Sequence, residues 1–201
     1  AGISSILHTS SFFIDKSSVY LTPIPSPDLA YFRTFSLSQN INAQDSNIQI
    51  QESPEFIFTS KNAYILNSHT IRIGNELIEF KEVKSTFPYE LIGCKRAACN
   101  TTATKHDKGE KAYYLKEMLG RFVPDVSTKL FTEIADNTAR IVNENNFDGI
   151  YLDAIDASPI LDSPENAWYY STQFVLEIAK NLNQEVGMGM SSMGNIWWHY
   201  R

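Results

Sequence analysis

The sequence predicts a mixed α+β and α/β chain, in which an N-terminal antiparallel β module precedes a partial (β/α) barrel-like segment. Upstream of about Tyr113, Ser, Thr, Asn, Pro and β-branched residues dominate, and no long apolar run has 3.6-residue spacing. Further on, two apolar stripes at helical spacing flank a short buried strand. A β-rich part followed by alternating helices and strands indicates two domains. We place them at residues 1–112 and 113–201.

The clearest unit of the β module is a hairpin around Gly74-Asn75. In residues 69–73 before this turn, Ile71 and Ile73 are two positions apart, and in residues 76–80 after it, Ile78 and Phe80 have the same spacing. Two turn residues of this kind between alternating runs are a strong hairpin signal. Further candidate strands are residues 18–21, 31–37, 48–51 and 56–59.

Two helices are predicted in the second domain. Residues 127–143 have apolar positions at helical spacing, and Ser127 is available as an N-cap. Asp162-Ser163-Pro164-Glu165 marks the start of the second helix, because proline suits a first helical turn. We expect this helix to end near Asn183.

Between these helices, residues 147–156 predict a buried strand that ends at a carboxylate. Side chains alternate between the two faces of a strand, so Ile150 and Leu152 lie on one face while Tyr151 and Asp153 lie on the other. Asp153 is then at the carboxyl end of the strand, where parallel α/β folds place their sites.

A second short strand is predicted at residues 185–191. One of its faces carries Gly187 and Gly189, so it has almost no side chains. The gap leaves room for a substrate or for a large neighbouring side chain, or the glycines only accommodate tight packing. We expect this strand to lie parallel to the first, with Asp153 and Ser191 at the same end.

Composition narrows the possible partners. The net charge of −6 lacks the basic footprint of nucleic-acid-binding proteins. No apolar run approaches the ~20 residues that cross a membrane, so we expect no membrane span. The N-terminus has no signal-peptide pattern. We expect a secreted, periplasmic or cell-surface location, with any signal peptide already removed.

Cysteine and histidine positions give no metal signal. Cys94 and Cys99 are either paired across a turn or both reduced, and they lack the second pair that a zinc site needs. His8, His69 and His106 do not have metal-ligand spacing, and we treat them as structural or exposed. We therefore expect no metal and no cofactor.

The sequence F-D-G-I-Y-L-D at residues 147–153, followed by Ile155 and Asp156, resembles a segment of several (β/α)8 glycoside hydrolases. These include the endo-α-1,4-polygalactosaminidase-like and α-galactosidase-like groups, and the resemblance covers residues 127–191. A second likeness, over residues 71–115, is to small β modules of phage-tail and carbohydrate-associated proteins.

The first resemblance implies a glycoside hydrolase that acts on a poly- or oligosaccharide. Such enzymes usually cleave the glycosidic bond with two carboxyl groups. By resemblance, Asp153 is the nucleophile or the electrostatic stabiliser. Asp156 is its partner, a ligand of sugar hydroxyls, or a helix cap. The second carboxylate could also lie beyond Arg201.

Candidate substrate-binding residues are Tyr151 and the polar and aromatic residues after the second strand. Indole rings stack on sugar rings, and amide, imidazole and guanidinium groups bond hydroxyls. Alternatively, this loop only closes the mouth of the barrel or packs on further strands. The loop residues are Ser191, Asn195, Trp197, Trp198, His199 and Arg201.

Three function classes remain open. They are a glycoside hydrolase with an accessory β module, a non-catalytic carbohydrate-binding module, and an assembly module of phage-tail or surface type. A complete barrel needs roughly 250 residues, so we expect this chain to be part of a larger protein. The alternative is a small, complete α+β domain.

Overall fold

The computed structural model describes residues 4–55, 57 and 67–191. Over these residues the chain is mixed α/β, with several antiparallel sheets and few helices. The helices are α1 (Lys129–Asn145) and α2 (Ala167–Lys180). The strands are β1 (Ile6–Thr9), β2 (Tyr31–Ser36), β3 (Ile48–Gln49), β4 (Thr70–Ile73), β5 (Glu76–Glu79), β6 (Glu82–Lys84), β7 (Glu90–Ile92), β8 (Lys111–Leu115), β9 (Glu117–Met118), β10 (Arg121–Phe122), β11 (Gly149–Leu152) and β12 (Gly187–Met190). Neither helix in this part of the chain is long and apolar enough to cross a membrane.

The chain forms two compact units. Unit 1 combines the residues up to Phe13 with those from Pro124 onward, and unit 2 is Ile14–Val123. This differs from the expected domains of residues 1–112 and 113–201. The reason is strand pairing across long sequence distances: β8 joins the β sheet of unit 2, and β1 joins the parallel sheet of unit 1.

Unit 1 is built on a three-stranded sheet in the order β1, β11, β12, with both pairs of strands parallel. The expected parallel pairing is therefore confirmed, and Asp153 and Ser191 follow their strands at the same edge. Ile150 and Leu152 are buried on one face of β11, whereas Ile6 on the opposite face of the sheet is 63% exposed. No closed barrel is formed by the described residues, and these three strands do not establish part of one.

The two helices of unit 1 are packed together through aromatic rings. The ring of Phe131 in α1 lies 5.6 Å from that of Phe174 in α2, and Phe174 lies 5.9 Å from Phe12. α1 begins shortly after Ser127 rather than at it. Asp125 Oδ1 accepts hydrogen bonds from the backbone N–H and hydroxyl of Ser127 and holds this residue in the preceding turn.

Unit 2 is an antiparallel β structure with its own apolar core, as predicted. A four-stranded sheet (β2, β8, β4, β5) and a three-stranded sheet (β3, β7, β6) contribute side chains to one cluster. From the first sheet come Ile71, Ile78 and Tyr114, and from the second come Ile48 and Leu91. All five are completely buried.

The predicted hairpin is confirmed. β4 and β5 are antiparallel with Ile73 opposite Glu76, which leaves Gly74 and Asn75 as the two turn residues. Gly74 has a φ of +54°, a conformation that turns of this length require and that glycine adopts without strain. The expected strand at residues 18–21 is wrong, because the backbone there forms turns, with Leu21 N–H donating to Ser18 O.

Both cysteines of unit 2 are free. Burial raises the pKa of the Cys94 thiol to about 12, so it remains protonated at neutral pH. The sequence left open whether Cys94 and Cys99 form a disulfide or are both reduced, and in the structure both are reduced.

A buried ionic cluster around Glu76 connects β5 to the segment that precedes β8. Arg96 donates to both carboxylate oxygens of Glu76, each at 2.8 Å, and His106 Nε2 lies 2.9 Å from Oε2. The backbone N–H groups of Ala97 and Thr104 each donate at 3.1 Å. The Glu76 and Arg96 side chains are only 1% and 7% exposed, so the charges are compensated by each other rather than by water.

Five carboxyl groups of unit 2 are stabilised in their charged form. Burial opposes ionisation of Glu76, but its hydrogen bonds outweigh this and hold its pKa below the usual value. The same balance lowers the pKa of Glu52, Glu79 and Glu110, while hydrogen bonds from Ser17 lower that of Asp15.

Candidate functional site

The carboxyl ends of the three parallel strands of unit 1 meet at one edge of the sheet. Thr9 of β1, Leu152 of β11 and Met190 of β12 are neighbours in register. The residues that follow them, among them Asp153 and Ser191, therefore lie together. This is the edge at which parallel α/β sheets carry their ligands.

Asp153 is fixed through its backbone. Its N–H donates to Thr9 O at 2.8 Å, and its carbonyl accepts a hydrogen bond of 2.6 Å from Ser11 Oγ. The chain then turns sharply at Ala154, which has a φ of 55°. These contacts hold the α-carbon of Asp153 in place while its side chain, 50% exposed, projects from the edge of the sheet.

His8 is the ionisable neighbour of this carboxylate. Its Nε2 lies 3.5 Å from Asp153 Oδ2, close enough for an ion pair when the imidazole is protonated. The His8 ring also meets the ring of Tyr151 edge to face, with centroids 5.0 Å apart. No sequence pattern indicates this role, because His8 lies on β1 and comes close to Asp153 only through strand pairing.

Asp156 belongs to a short 3₁₀ segment, Ile155–Ile160, that follows the strand. Ser191 Oγ donates to Asp156 Oδ1 at 2.7 Å, and Ser191 N–H donates to Leu152 O at 3.1 Å. The hydroxyl of Ser191 therefore bridges the end of β12 to the loop after β11. Asp156 is exposed, so its second oxygen can accept a hydrogen bond from a ligand.

The glycines of β12 make room for an aromatic side chain. A Cβ atom at Gly189 would lie 3.1 Å from Cδ2 of Tyr151. At Gly187 the nearest atom would be Asp148 O, at 3.9 Å. The sequence left open whether the glycines leave room for a substrate, for a large side chain or only for tight packing. At Gly189 the room is taken by the ring of Tyr151.

Asp148 marks the opposite edge of the same sheet. Its Oδ2 accepts a 2.7 Å hydrogen bond from the backbone N–H of Ser5. This contact with the residue before β1 gives Asp148 a structural role.

Four of the predicted site residues are thus placed at one edge of the sheet: Tyr151, Asp153, Asp156 and Ser191. The other five lie outside the described residues. They are Asn195, Trp197, Trp198, His199 and Arg201.

The described part of the chain offers no group of three or more His, Cys, Asp or Glu side chains that could hold a metal ion. The carboxylates and the imidazole at the strand ends have chemistry of their own. A carboxylate can stabilise positive charge or attack an electrophilic carbon, and an imidazole within reach can transfer a proton.

Comparison with protein-family models, with curated proteins and with solved structures finds no match to this chain.

Proposed function

We propose that unit 1 acts on a poly- or oligosaccharide as a glycoside hydrolase, with Asp153 as its central carboxylate. The observation that carries the proposal is the position of Asp153. It ends the middle strand of a parallel sheet, two hydrogen bonds fix its backbone, and its side chain reaches solvent beside His8. A carboxylate whose backbone is fixed before substrate binding needs less reorganisation to stabilise a cationic transition state.

The resemblance of residues 147–153 to (β/α)8 glycoside hydrolases supports this assignment and suggests a barrel-like arrangement for unit 1. In the proposal, Asp153 attacks or stabilises the sugar carbon, and Asp156 or a further acid protonates the leaving oxygen. Tyr151 would contact the sugar ring with its face, and Ser191 would orient Asp156.

One observation favours a second function, carbohydrate binding without turnover. The Asp153 side chain is half exposed, Asp156 is exposed, and Ser191 already donates to one oxygen of Asp156. Exposed carboxylates interact with charge more weakly than buried ones, because water screens them. They are nevertheless good acceptors for sugar hydroxyls.

The deciding experiment measures turnover and binding separately on the full chain. Polymers of α-1,4-linked galactosamine and of α-linked galactose are incubated with the protein, and newly formed reducing ends are counted. Binding to the same polymers is followed by calorimetry. If the proposal is right, Asp153→Asn keeps its fold and its binding but loses at least about 100-fold in kcat, the scale of removing one electrostatic contact to the transition state.

Asp148→Asn is the matched control, because it makes the same chemical change at the opposite end of the same strand. It should leave kcat unchanged. Turnover by Asp153→Asn at the wild-type rate would contradict the catalytic role. Binding by the wild-type chain with no release of reducing ends would instead support the carbohydrate-binding function.

A further inference from the structure

Two large aromatic side chains are exposed in the first turn of α2. Trp168 is 57% exposed and Tyr169 is 45% exposed. Consecutive residues of a helix do not normally face each other, yet the centroids of these two rings lie 5.9 Å apart. The two side chains therefore form one continuous surface, the Trp168–Tyr169 patch. Contiguous exposed apolar patches mark interaction sites, whereas single exposed side chains are common.

A series of ring contacts connects this patch to the core of unit 1. Tyr169 lies 5.2 Å from Tyr170, and Tyr170 lies 6.3 Å from Phe131, which is buried between the two helices. These contacts and the one between Trp168 and Tyr169 have interplanar angles of 77°, 85° and 82°, so they are edge to face. They hold the patch in place without covering both faces of the Trp168 ring.

The patch lies toward the same edge of the sheet as Asp153. β11 and β12 are parallel, so α2, which connects them, runs back from the carboxyl end of β11 to the start of β12. Its first turn is therefore on the side of the strand ends. α2 also packs against the 3₁₀ segment Ile155–Ile160, which carries Asp156. A ligand longer than one sugar unit can extend from the strand ends toward the patch.

Polar groups adjoin the two rings. Asn166 O accepts hydrogen bonds from the backbone N–H groups of Tyr169 and Tyr170, at 3.0 and 3.2 Å, so Asn166 belongs to the same turn. Its side chain donates to Asp162 Oδ2 at 2.7 Å, and both of these polar side chains are exposed. A sugar has an apolar ring face and a rim of hydroxyls, which suits aromatic rings beside an amide and a carboxylate.

We propose that the Trp168–Tyr169 patch is an outer subsite for the same poly- or oligosaccharide, with sugar rings stacked on the two aromatic side chains. Hydroxyls of the stacked units bond to Asp162 and Asn166. The inference rests on the carbohydrate ligand proposed for unit 1, but it does not require turnover. Unit 1 should then bind long chains more tightly than short ones, because only a long chain spans both the strand ends and the patch.

The test measures binding by calorimetry on the full chain, with disaccharides and octasaccharides of α-1,4-linked galactosamine and of α-linked galactose. Trp168→Ala and Tyr169→Ala should each weaken octasaccharide binding about tenfold, the scale of one aromatic contact, and leave disaccharide binding unchanged. Trp168→Tyr keeps an aromatic face and should retain most of the affinity. Phe87→Ala is the matched control, because Phe87 is an aromatic residue of unit 2 that is 81% exposed.

Contacts in the wild-type chain make the test independent of whether the variants fold. Nuclear Overhauser effects should join the CH protons of the bound octasaccharide to the indole protons of Trp168. Their absence, or equal octasaccharide affinity of Trp168→Ala and the wild-type chain, overturns the inference.

The outcomes separate this subsite from the catalytic role of Asp153. If Trp168→Ala binds the octasaccharide normally while Asp153→Asn loses turnover, the subsite is wrong and the hydrolase proposal holds. If the wild-type chain binds without turnover, the hydrolase proposal fails and the Trp168 variants still decide the subsite. No binding at any chain length overturns both. A wild-type dimer that Trp168→Ala converts to a monomer in sedimentation would show that a second copy covers the patch, and it would also overturn the inference.

Discussion

The ionic cluster around Glu76 allows a stability change to be worked out from contacts. In Glu76→Gln the side chain keeps its shape, and one oxygen still accepts from Arg96 Nε and Ala97 N–H. The other oxygen becomes an NH₂ group that faces Arg96 Nη2, the Thr104 N–H and His106 Nε2, so donors oppose donors. Arg96 is left buried without its counter-charge, and breaking a buried pair in this way costs about 3–5 kcal/mol.

The same figure follows from the individual bonds. Hydrogen bonds to charged groups contribute about 1.5–3 kcal/mol each. The substitution removes the negative charge that accepts two hydrogen bonds from Arg96. Since domains are stable by only about 5–15 kcal/mol, unit 2 should remain folded but lose much of its stability. Amide exchange in β4, β5 and β8 should accelerate by about two to four orders of magnitude, at a factor of ten per 1.4 kcal/mol.

Hydrogen–deuterium exchange measures this loss of stability separately in unit 1 and in unit 2. The three tryptophans, at positions 168, 197 and 198, lie outside residues 14–123, so tryptophan fluorescence reports on unit 1 and should not change. Glu82→Gln, at the exposed first position of strand β6, is the matched control, with an expected change within about 0.5 kcal/mol. If exchange in β4 to β8 rises less than tenfold in Glu76→Gln, the cluster does not stabilise unit 2 as argued.

Three further predictions follow from the structure. Unit 2 should have its full stability above about pH 4.3, the ordinary pKa of Glu. It should lose stability as the pH falls through the lowered pKa values that these carboxyl groups have in the folded state. Acid titration by circular dichroism checks this, and a constant stability down to pH ~2 would contradict it. Gly189→Ala should displace the Tyr151 ring and destabilise unit 1 by about 1 kcal/mol, whereas Gly187→Ala should have a smaller effect, as measured by urea denaturation with tryptophan fluorescence. Lys16→Met should destabilise unit 2 by about 3 kcal/mol because Glu117 stays buried without its ion pair; a loss below 1 kcal/mol in urea denaturation would count against this pairing.

Local patterns in the sequence predicted the local elements well. Alternation on both sides of Gly74-Asn75 identified the hairpin, since a two-residue turn fixes the register of its flanking strands. Helical spacing identified α1 and α2. The turns at residues 18–21 were missed because Val19 and Tyr20 favour strands, while hydrogen bonds such as Leu21 N–H to Ser18 O decide the backbone there.

The same local patterns could not predict the pairing of strands that are far apart in the sequence. β1 is four residues long and pairs with β11 more than a hundred residues later, so nothing next to it signals a partner. For this reason Asp153 was predicted at a strand end, but His8 beside it was not. The two compact units differ from the expected domains for the same reason, since membership of a sheet is decided by pairing and not by neighbouring sequence.

The backbone pairing of Ile14 with Phe122 has a consequence for the modular construction of this chain. Ile14 N–H donates to Phe122 O at 2.8 Å, and Phe122 N–H donates to Ile14 O at 3.0 Å, so unit 2 closes on itself where it begins and ends. An insert whose ends are adjacent behaves as a cassette: removing it requires only a short linker, and the entropy of closing that linker is small. Gain or loss of the whole cassette by recombination would therefore leave the register of the parallel sheet intact.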